Sequence, residues 1–151
     1  MKKLITLLEN LSGKKIILED SVFKPRKLDE RLLPVKKELE KHMTIDENRK
    51  TIVIEKEGVN YSECLVLEKF YQGYMIDVNG SVNVSNCGLS ELPHVNFNKV
   101  EWNFGCARNH LTSLKYCPTT VMCNFYCDDN DKQFTDEEVL RRCDVGDQII
   151  C

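Results

Sequence analysis

The chain has 151 residues, is 42% hydrophobic and carries a formal net charge of −3 at pH 7, which suits one soluble globular domain or two small ones. The charge is uneven: residues 1–50 hold 13 Lys/Arg against 9 Asp/Glu, or +4, and residues 51–151 hold 8 against 15, or −7. The acidic second part is a poor match for a phosphate backbone. No apolar run approaches the ~20 residues of a membrane span.

In chain order, Leu4, Leu7, Leu8 and Leu11 recur at helical spacing and Gly13 supplies a stop. Lys15–Glu19 reads as a short strand. The first eight residues mimic a secretory signal, but Glu9 and Asn10 end the apolar stretch and no small-residue cleavage site follows, so a cytoplasmic protein is expected. Pro25 marks a loop. Pro34 belongs in the first turn of a helix running to about Met43, with Val35, Leu39 and Met43 as its apolar stripe. His42, at the end of that helix, reads as a surface residue favoured by the helix dipole. Lys50–Glu55 is strand-like, Gly58 is a turn, and Cys64–Phe70 is a second strand or a short helix. Tyr74–Val78 is strand-like and runs into the turn dipeptide Asn79-Gly80.

From Ser81 onward the chain repeats itself. Val82, Leu89 and Leu92 recur as Phe104, Leu111 and Leu114 at a step of 22. Val100, Phe104, Cys106 and Asn109 recur as Val121, Phe125, Cys127 and Asn130 at a step of 21. A period in the low twenties marks stacked repeats. Each copy opens with alternating apolar residues (Val82/Val84; Val100/Trp102/Phe104/Cys106; Val121/Cys123/Phe125/Cys127), so each is expected to form a strand with one buried face. Trp102 and Cys123 fall on the inward register in this reading. Thr135-Asp-Glu-Glu138 reads as a capping box that starts a helix over Asp136–Arg142. Ile149–Cys151 reads as a closing strand.

The unit apolar-x-apolar-x-apolar-x-x-Asn/Cys-x-Leu resembles the leucine-rich-repeat signature, with Cys87, Asn109 and Asn130 at the Asn/Cys position. The variant here is similar to the short repeat of small accessory proteins of large tailed bacteriophages. Phe104, Cys106, Asn109, Leu111, Thr112, Ser113, Leu114 and Pro118 match it. The likeness covers residues 76–151. It departs in the third copy, where Lys132 replaces the leucine and Phe134 stands in for it.

The resemblance implies an α+β chain in which residues 1–75 form a mixed α/β N-terminal cap. Residues 76–151 then form a short leucine-rich-repeat-like parallel β-solenoid, with a helix and strand closing its C-terminal end. Phe125 should lie beside Phe104, Cys127 beside Cys106, and Asn109 and Asn130 should form a ladder that satisfies buried backbone groups.

The candidate chemistry is sparse. Cys106, His110, Cys117, Cys123 and Cys127 lie close in sequence, but no pair has C-x-x-C spacing, so packed thiols are preferred to zinc and no cofactor is expected. Cys106, Cys127 and Cys151 share one ladder position. In a reducing compartment they are expected as free thiols rather than a disulfide. His94 and His110 sit in turns with no catalytic motif around them, so no enzyme is expected. Asp128, Asp129, Asp131 and Asp136 read as a solvated acidic turn rather than a calcium loop.

The resemblance therefore implies a protein–protein interaction module that binds and inhibits a host protein such as a protease, nuclease or defence enzyme. The outward residues Glu101, Asn103, Arg108, His110, Tyr126 and Asp128 are the expected contact surface. A zinc-stabilised nucleic-acid or enzyme-associated module using the Cys/His cluster is one alternative. A self-assembling scaffold, a homo-oligomer joined through an exposed strand, is another.

Overall fold

A computed structural model describes residues 25–151, with side chains from residue 30 onward. The helix expected over residues 3–11 and the strand over Lys15–Glu19 lie outside this range. Residues Pro34–Cys151 form one compact unit. Helix α1 spans Pro25–Glu40. It starts at the expected loop, and Pro34 lies inside it rather than in its first turn. Proline suits the first helical position because its missing N–H would be unpaired there anyway. Leu39 of the expected apolar stripe is buried, as is Leu32, which was expected to lead into it.

Met43 leaves the helix and opens β1 (Met43–Asp46), which pairs antiparallel with β2 (Thr51–Ile54). This hairpin has a local cause. Asp46 Oδ1 accepts hydrogen bonds from the N–H groups of Asn48 and Arg49, both at 3.0 Å, which closes an Asx-type turn. After β3 (Gly58–Val59), the ambiguous segment is helical: α2 covers Tyr61–Phe70. Its start is set by a reciprocal capping box between Asn60 and Glu63, which satisfies two otherwise orphan donors. The buried Glu63 carboxylate also lies 3.2 Å from Lys56 Nζ.

Two sheets then build up in alternation from β4 (Met75–Val78), β5 (Ser81–Asn83), β6 (Asn96–Val100), β7 (Phe104–Gly105), β8 (Thr120–Val121) and β9 (Phe125–Tyr126), and finally β10 (Asp144–Val145) and β11 (Ile149–Ile150). The first sheet has the order β1-β2-β4-β6-β8-β10 and the second β11-β9-β7-β5-β3. Apart from the β1–β2 hairpin every pairing is parallel. Pairing of Ile52 with Ile76 carries the first sheet across the 75/76 boundary expected from the repeats.

Register follows the sequence period. Val82 pairs with Phe104, Phe104 with Phe125, Phe125 with Ile149, and Val100 with Val121. The step between β4 and β6 changes at one point, where Ile76 faces Phe97 but Asp77 faces Lys99. Asn98 is thus an extra residue, a β-bulge, and its side-chain amide donates to Asp77 Oδ1 at 2.9 Å.

The rows Ile54/Val78/Val100/Val121 and Val59/Val82/Phe104/Phe125 are buried, as are Leu89, Leu92, Leu111 and Leu114 in the connections. Phe104 and Phe125 have ring centroids 5.2 Å apart. Helix α3, Asp136–Leu140, starts at the expected Thr135–Glu138 capping box. Among the described residues no helix is long and apolar enough to cross a membrane.

The expected strand Val100–Cys106 is in fact two strands, because the chain turns a corner at 101–103 on passing from the first sheet to the second. The alternation breaks there. Trp102 is 44% exposed rather than inward. Cys123, one rung further on, is half-buried at the same corner, its amide bonded to the Trp102 carbonyl at 3.0 Å.

Asn109 is only 4% exposed. Its Oδ1 accepts from the N–H groups of Cys87 and Leu89, and its Nδ2 donates to the carbonyls of Val84, Cys106 and Ala107. Asn130 repeats the pattern with Leu111, Cys106 and Cys127. Replacing Asn109 by Ala should strand several buried backbone groups and cost about 3 kcal/mol or more in a urea titration. A loss below about 1 kcal/mol would contradict this role.

Candidate functional site

The strands of the second sheet place alternate residues on its outer face, and an open groove of about 480 Å³ runs across that face. On the β5 side stand Ser81, Asn83 and Ser85. Asn103, Gly105 and Arg108 follow on the β7 rung, then Tyr126 and Asp128 on β9 and Ile150 on β11. Gly105 forms the floor. A Cβ there would come within 2.9 Å of Ser85 Oγ and 3.0 Å of Asn83 Oδ1, so a side chain would displace the Ser85 and Asn83 side chains.

Side chains on this face replace backbone acceptors where the ladder is interrupted. The N–H of Asn103 donates to Ser81 Oγ, that of Asn124 to Asn103 Oδ1, and that of Gln148 to Asn124 Oδ1. Likewise Ser85 N–H donates to Asn83 Oδ1 and Ala107 N–H to Ser85 Oγ. Beyond the groove the chain turns through the left-handed region at Asn86, Arg108 and Asp129, with φ of 57°, 57° and 56°. Asn and Asp tolerate that conformation well, whereas arginine adopts it less readily.

Of the six residues expected to form a contact surface, Asn103, Arg108, Tyr126 and Asp128 line the groove. Glu101 and His110 do not line it. Glu101 sits at the corner and pairs with Lys99 at 3.1 Å; His110 Nδ1 lies 3.1 Å from Asp131. Ser81, Asn83, Ser85 and Gly105 were not anticipated. Their signal was the recurrence of small polar residues at the step separating Ser81, Asn103 and Asn124, which passes unnoticed beside the apolar repeat.

At the acidic turn Arg108 Nε lies 3.8 Å from Asp129, and His110 Nδ1 lies beside Asp131. Among the described residues no three His, Cys, Asp or Glu side chains are grouped to hold a metal ion. Cys106, His110, Cys117, Cys123 and Cys127 are therefore not gathered into one site. His94 stacks on Tyr116 at 4.2 Å between centroids and lies 3.3 Å from Glu91. Among the described residues neither it nor His110 is paired with a thiol.

The expectation of free thiols along the Cys106/Cys127/Cys151 ladder needs one correction. Cys127 and Cys151 form a disulfide, while Cys106 is free. Stacked parallel rungs bring the two Cα atoms to 4.7 Å, within disulfide range.

Comparison with protein-family models, with curated proteins and with solved structures gives no match to this chain.

Burial disfavours the thiolate form of Cys64, Cys106, Cys117 and Cys143. It pushes Cys64 and Cys106 far up, Cys143 to about 12 and Cys117 to about 11, from an ordinary value of 9.0. Cys87 is the exposed free thiol among the described residues and should react first with a thiol reagent. The native pKa values are raised, so the thiols' contribution to stability is complete below pH 9 and is lost as pH climbs toward 11–12. Urea midpoints should fall across that window; a flat profile would contradict the burial of these thiols.

Proposed function

We propose that this chain is a protein–protein interaction module: a mixed α/β cap over residues 1–75 leading into a leucine-rich-repeat-like parallel β-solenoid over residues 76–151. In this reading it is similar to small accessory proteins of tailed bacteriophages and acts in the host cytoplasm. It binds a host protein such as a protease, nuclease or defence enzyme and inhibits it by covering its surface, without chemistry of its own.

The observation that carries the reading is the outer groove of the second sheet. It brings Asn103, Arg108, Tyr126 and Asp128 together on a face supported by parallel rungs. Repeating strands suit this role because they make an extended, stiff surface out of short sequence units. Tyr126 supplies a large amphipathic contact and Arg108 a planar cation, side chains that often anchor interfaces. The pairing of Ile149 with Phe125 continues the same face to the last strand.

The test uses immobilised protein and a soluble bacterial lysate. The triple variant Arg108→Asn, Tyr126→Ala, Asp128→Asn removes the groove's anchors; Asn at position 108 tolerates the left-handed backbone. Thr44→Ala, on the exposed edge of the first sheet, serves as the control. A host protein held by the native chain and by the control should be held about tenfold or more weakly by the groove variant, equivalent to about 1.4 kcal/mol. Equal capture by the groove variant would remove the assignment.

A further inference from the structure

One inward row of the second sheet carries sulfur on three rungs in succession. The register that places Phe104, Phe125 and Ile149 on consecutive rungs places Cys106, Cys127 and Cys151 on consecutive rungs as well. The backbone steps match. Cys106 N–H donates to the Tyr126 carbonyl at 2.8 Å, and Cys127 N–H to the Ile150 carbonyl at 2.7 Å. The rung before carries Val84 at this position, since Val82 pairs with Phe104. Val84, Cys106 and Cys127 are all buried, so an aliphatic side chain fills the row as well as a thiol does. Packing alone does not call for three cysteines.

Cys127 is bonded to Cys151, and Cys106 is free. The Cα atoms of the bonded pair are 4.7 Å apart, about the spacing of neighbouring parallel strands. The same one-rung step separates Cys106 from Cys127, which puts that pair within disulfide range too. In thiol–disulfide exchange a thiolate attacks one sulfur of the bond and expels the other. A row along the stacking direction sets the three sulfurs in that order, with Cys127 in the middle.

The coil that the bond fastens is weakly enclosed. Its inward residues Val145 and Ile149 are half-buried, whereas Val121 and Phe125, one rung back, are fully buried. Strands β10 and β11 have two residues each. Ile150, next to Cys151, lines the end of the groove.

We propose that Cys127 is the pivot of a two-position disulfide. Joined to Cys151, it fastens the coil carrying β10 and β11; joined to Cys106, it releases that coil. The Cys106 thiol gives up its proton and its sulfur attacks Cys127 Sγ. The Cys106–Cys127 bond forms as the Cys127–Cys151 bond breaks. The electron pair leaves on Cys151 Sγ, which takes up a proton. One thiol and one disulfide stand on each side, so no outside oxidant or reductant is consumed. Burial holds Cys106 in its thiol form, and the thiolate is the attacking species. The bond therefore rests at Cys127–Cys151 and moves when the outer coil opens to water. This device is independent of the interaction reading, and its tests use no partner.

The full chain carrying the Cys127–Cys151 bond is held dilute at about pH 8, near the ordinary thiol range, with no redox reagent. Samples are quenched in acid, alkylated, digested and mapped by tandem mass spectrometry. Over hours, the time of uncatalysed rearrangement, a Cys106–Cys127 bond should accumulate with an equal amount of alkylated Cys151. It should exceed any other new pairing about tenfold or more, because neighbouring rungs hold the two sulfurs together. Cys106→Val, which copies the row at Val84, should keep the original bond throughout. Persistence of the Cys127–Cys151 bond alone in the native chain, or new bonds spread evenly over the other cysteines, would overturn the proposal.

Two further measurements test its parts. Cys151→Ser treated with oxidised glutathione should close Cys106–Cys127 and release two molecules of glutathione. Glutathione retained on Cys127, or pairing elsewhere, would count against adjacent sulfurs. In the native chain, reduction by dithiothreitol should speed deuterium exchange of the Cys127 amide about tenfold or more. The Val84 amide, bonded to the Gly105 carbonyl at 2.8 Å, should keep its rate. An unchanged Cys127 amide, or loss of protection at Val84 as well, would show that the bond does not fasten this coil in particular and would overturn the latch.

Discussion

Parallel strands that turn corners between two sheets leave backbone N–H groups without a carbonyl to meet. In this chain such groups are satisfied by side-chain oxygens from a neighbouring rung. Ser81, Ser85, Asn103, Asn109, Asn124 and Asn130 all serve in this way. An unpaired amide in the interior costs roughly 1–3 kcal/mol, so these substitutions decide whether short strands of two to five residues can stack at all. The apolar rows contribute the larger burial energy. The polar rows specify which rung lies over which, because each oxygen meets particular N–H groups on its neighbour.

The same constraint shapes the surface. Ser81, Ser85 and Asn103, whose oxygens complete the ladder, also line the groove on the second sheet's outer face. Gly105 lets the Ser85 and Asn83 side chains lie close over it, Tyr126 lines the groove beside it, and Arg108 projects from a left-handed turn at the rim. Structure and proposed recognition thus share residues. Asn103 illustrates the cost: its oxygen supports Asn124 while its free amide hydrogens belong to the groove, so replacement by alanine damages both roles.

Much of the repeat half was legible in the sequence because apolar residues at a fixed step can occupy only equivalent rungs. The Phe104–Phe125 contact, the Asn109 and Asn130 turns and the Thr135–Glu138 helix start follow from that step and from capping chemistry. Trp102 and Cys123 were misplaced because period-two alternation reads straight through a corner, and nothing in Val100–Cys106 marks the change of sheet except the flanking Glu101 and Asn103. The hairpin before Thr51 hid behind a helix stripe whose last member, Met43, belongs to a strand. The groove was only half visible. Large outward residues such as Tyr126 and Arg108 stand out, whereas Ser81, Asn83, Ser85 and Gly105 acquire meaning only when three rungs are superposed. The Cys127–Cys151 bond depended on an argument from redox compartment, which says nothing about how near two stacked cysteines lie.

The claim that side-chain oxygens complete the rungs is open to native-state hydrogen exchange followed residue by residue. The amides of Asn103, Asn124 and Leu111 sit outside the regular strand pairings and would exchange quickly in an ordinary surface loop. Here they should exchange on the order of a hundredfold or more slowly than an unstructured reference, close to the amides of Phe104 and Phe125. Exchange of these three amides at unprotected rates, beside protected strand amides, would contradict the account.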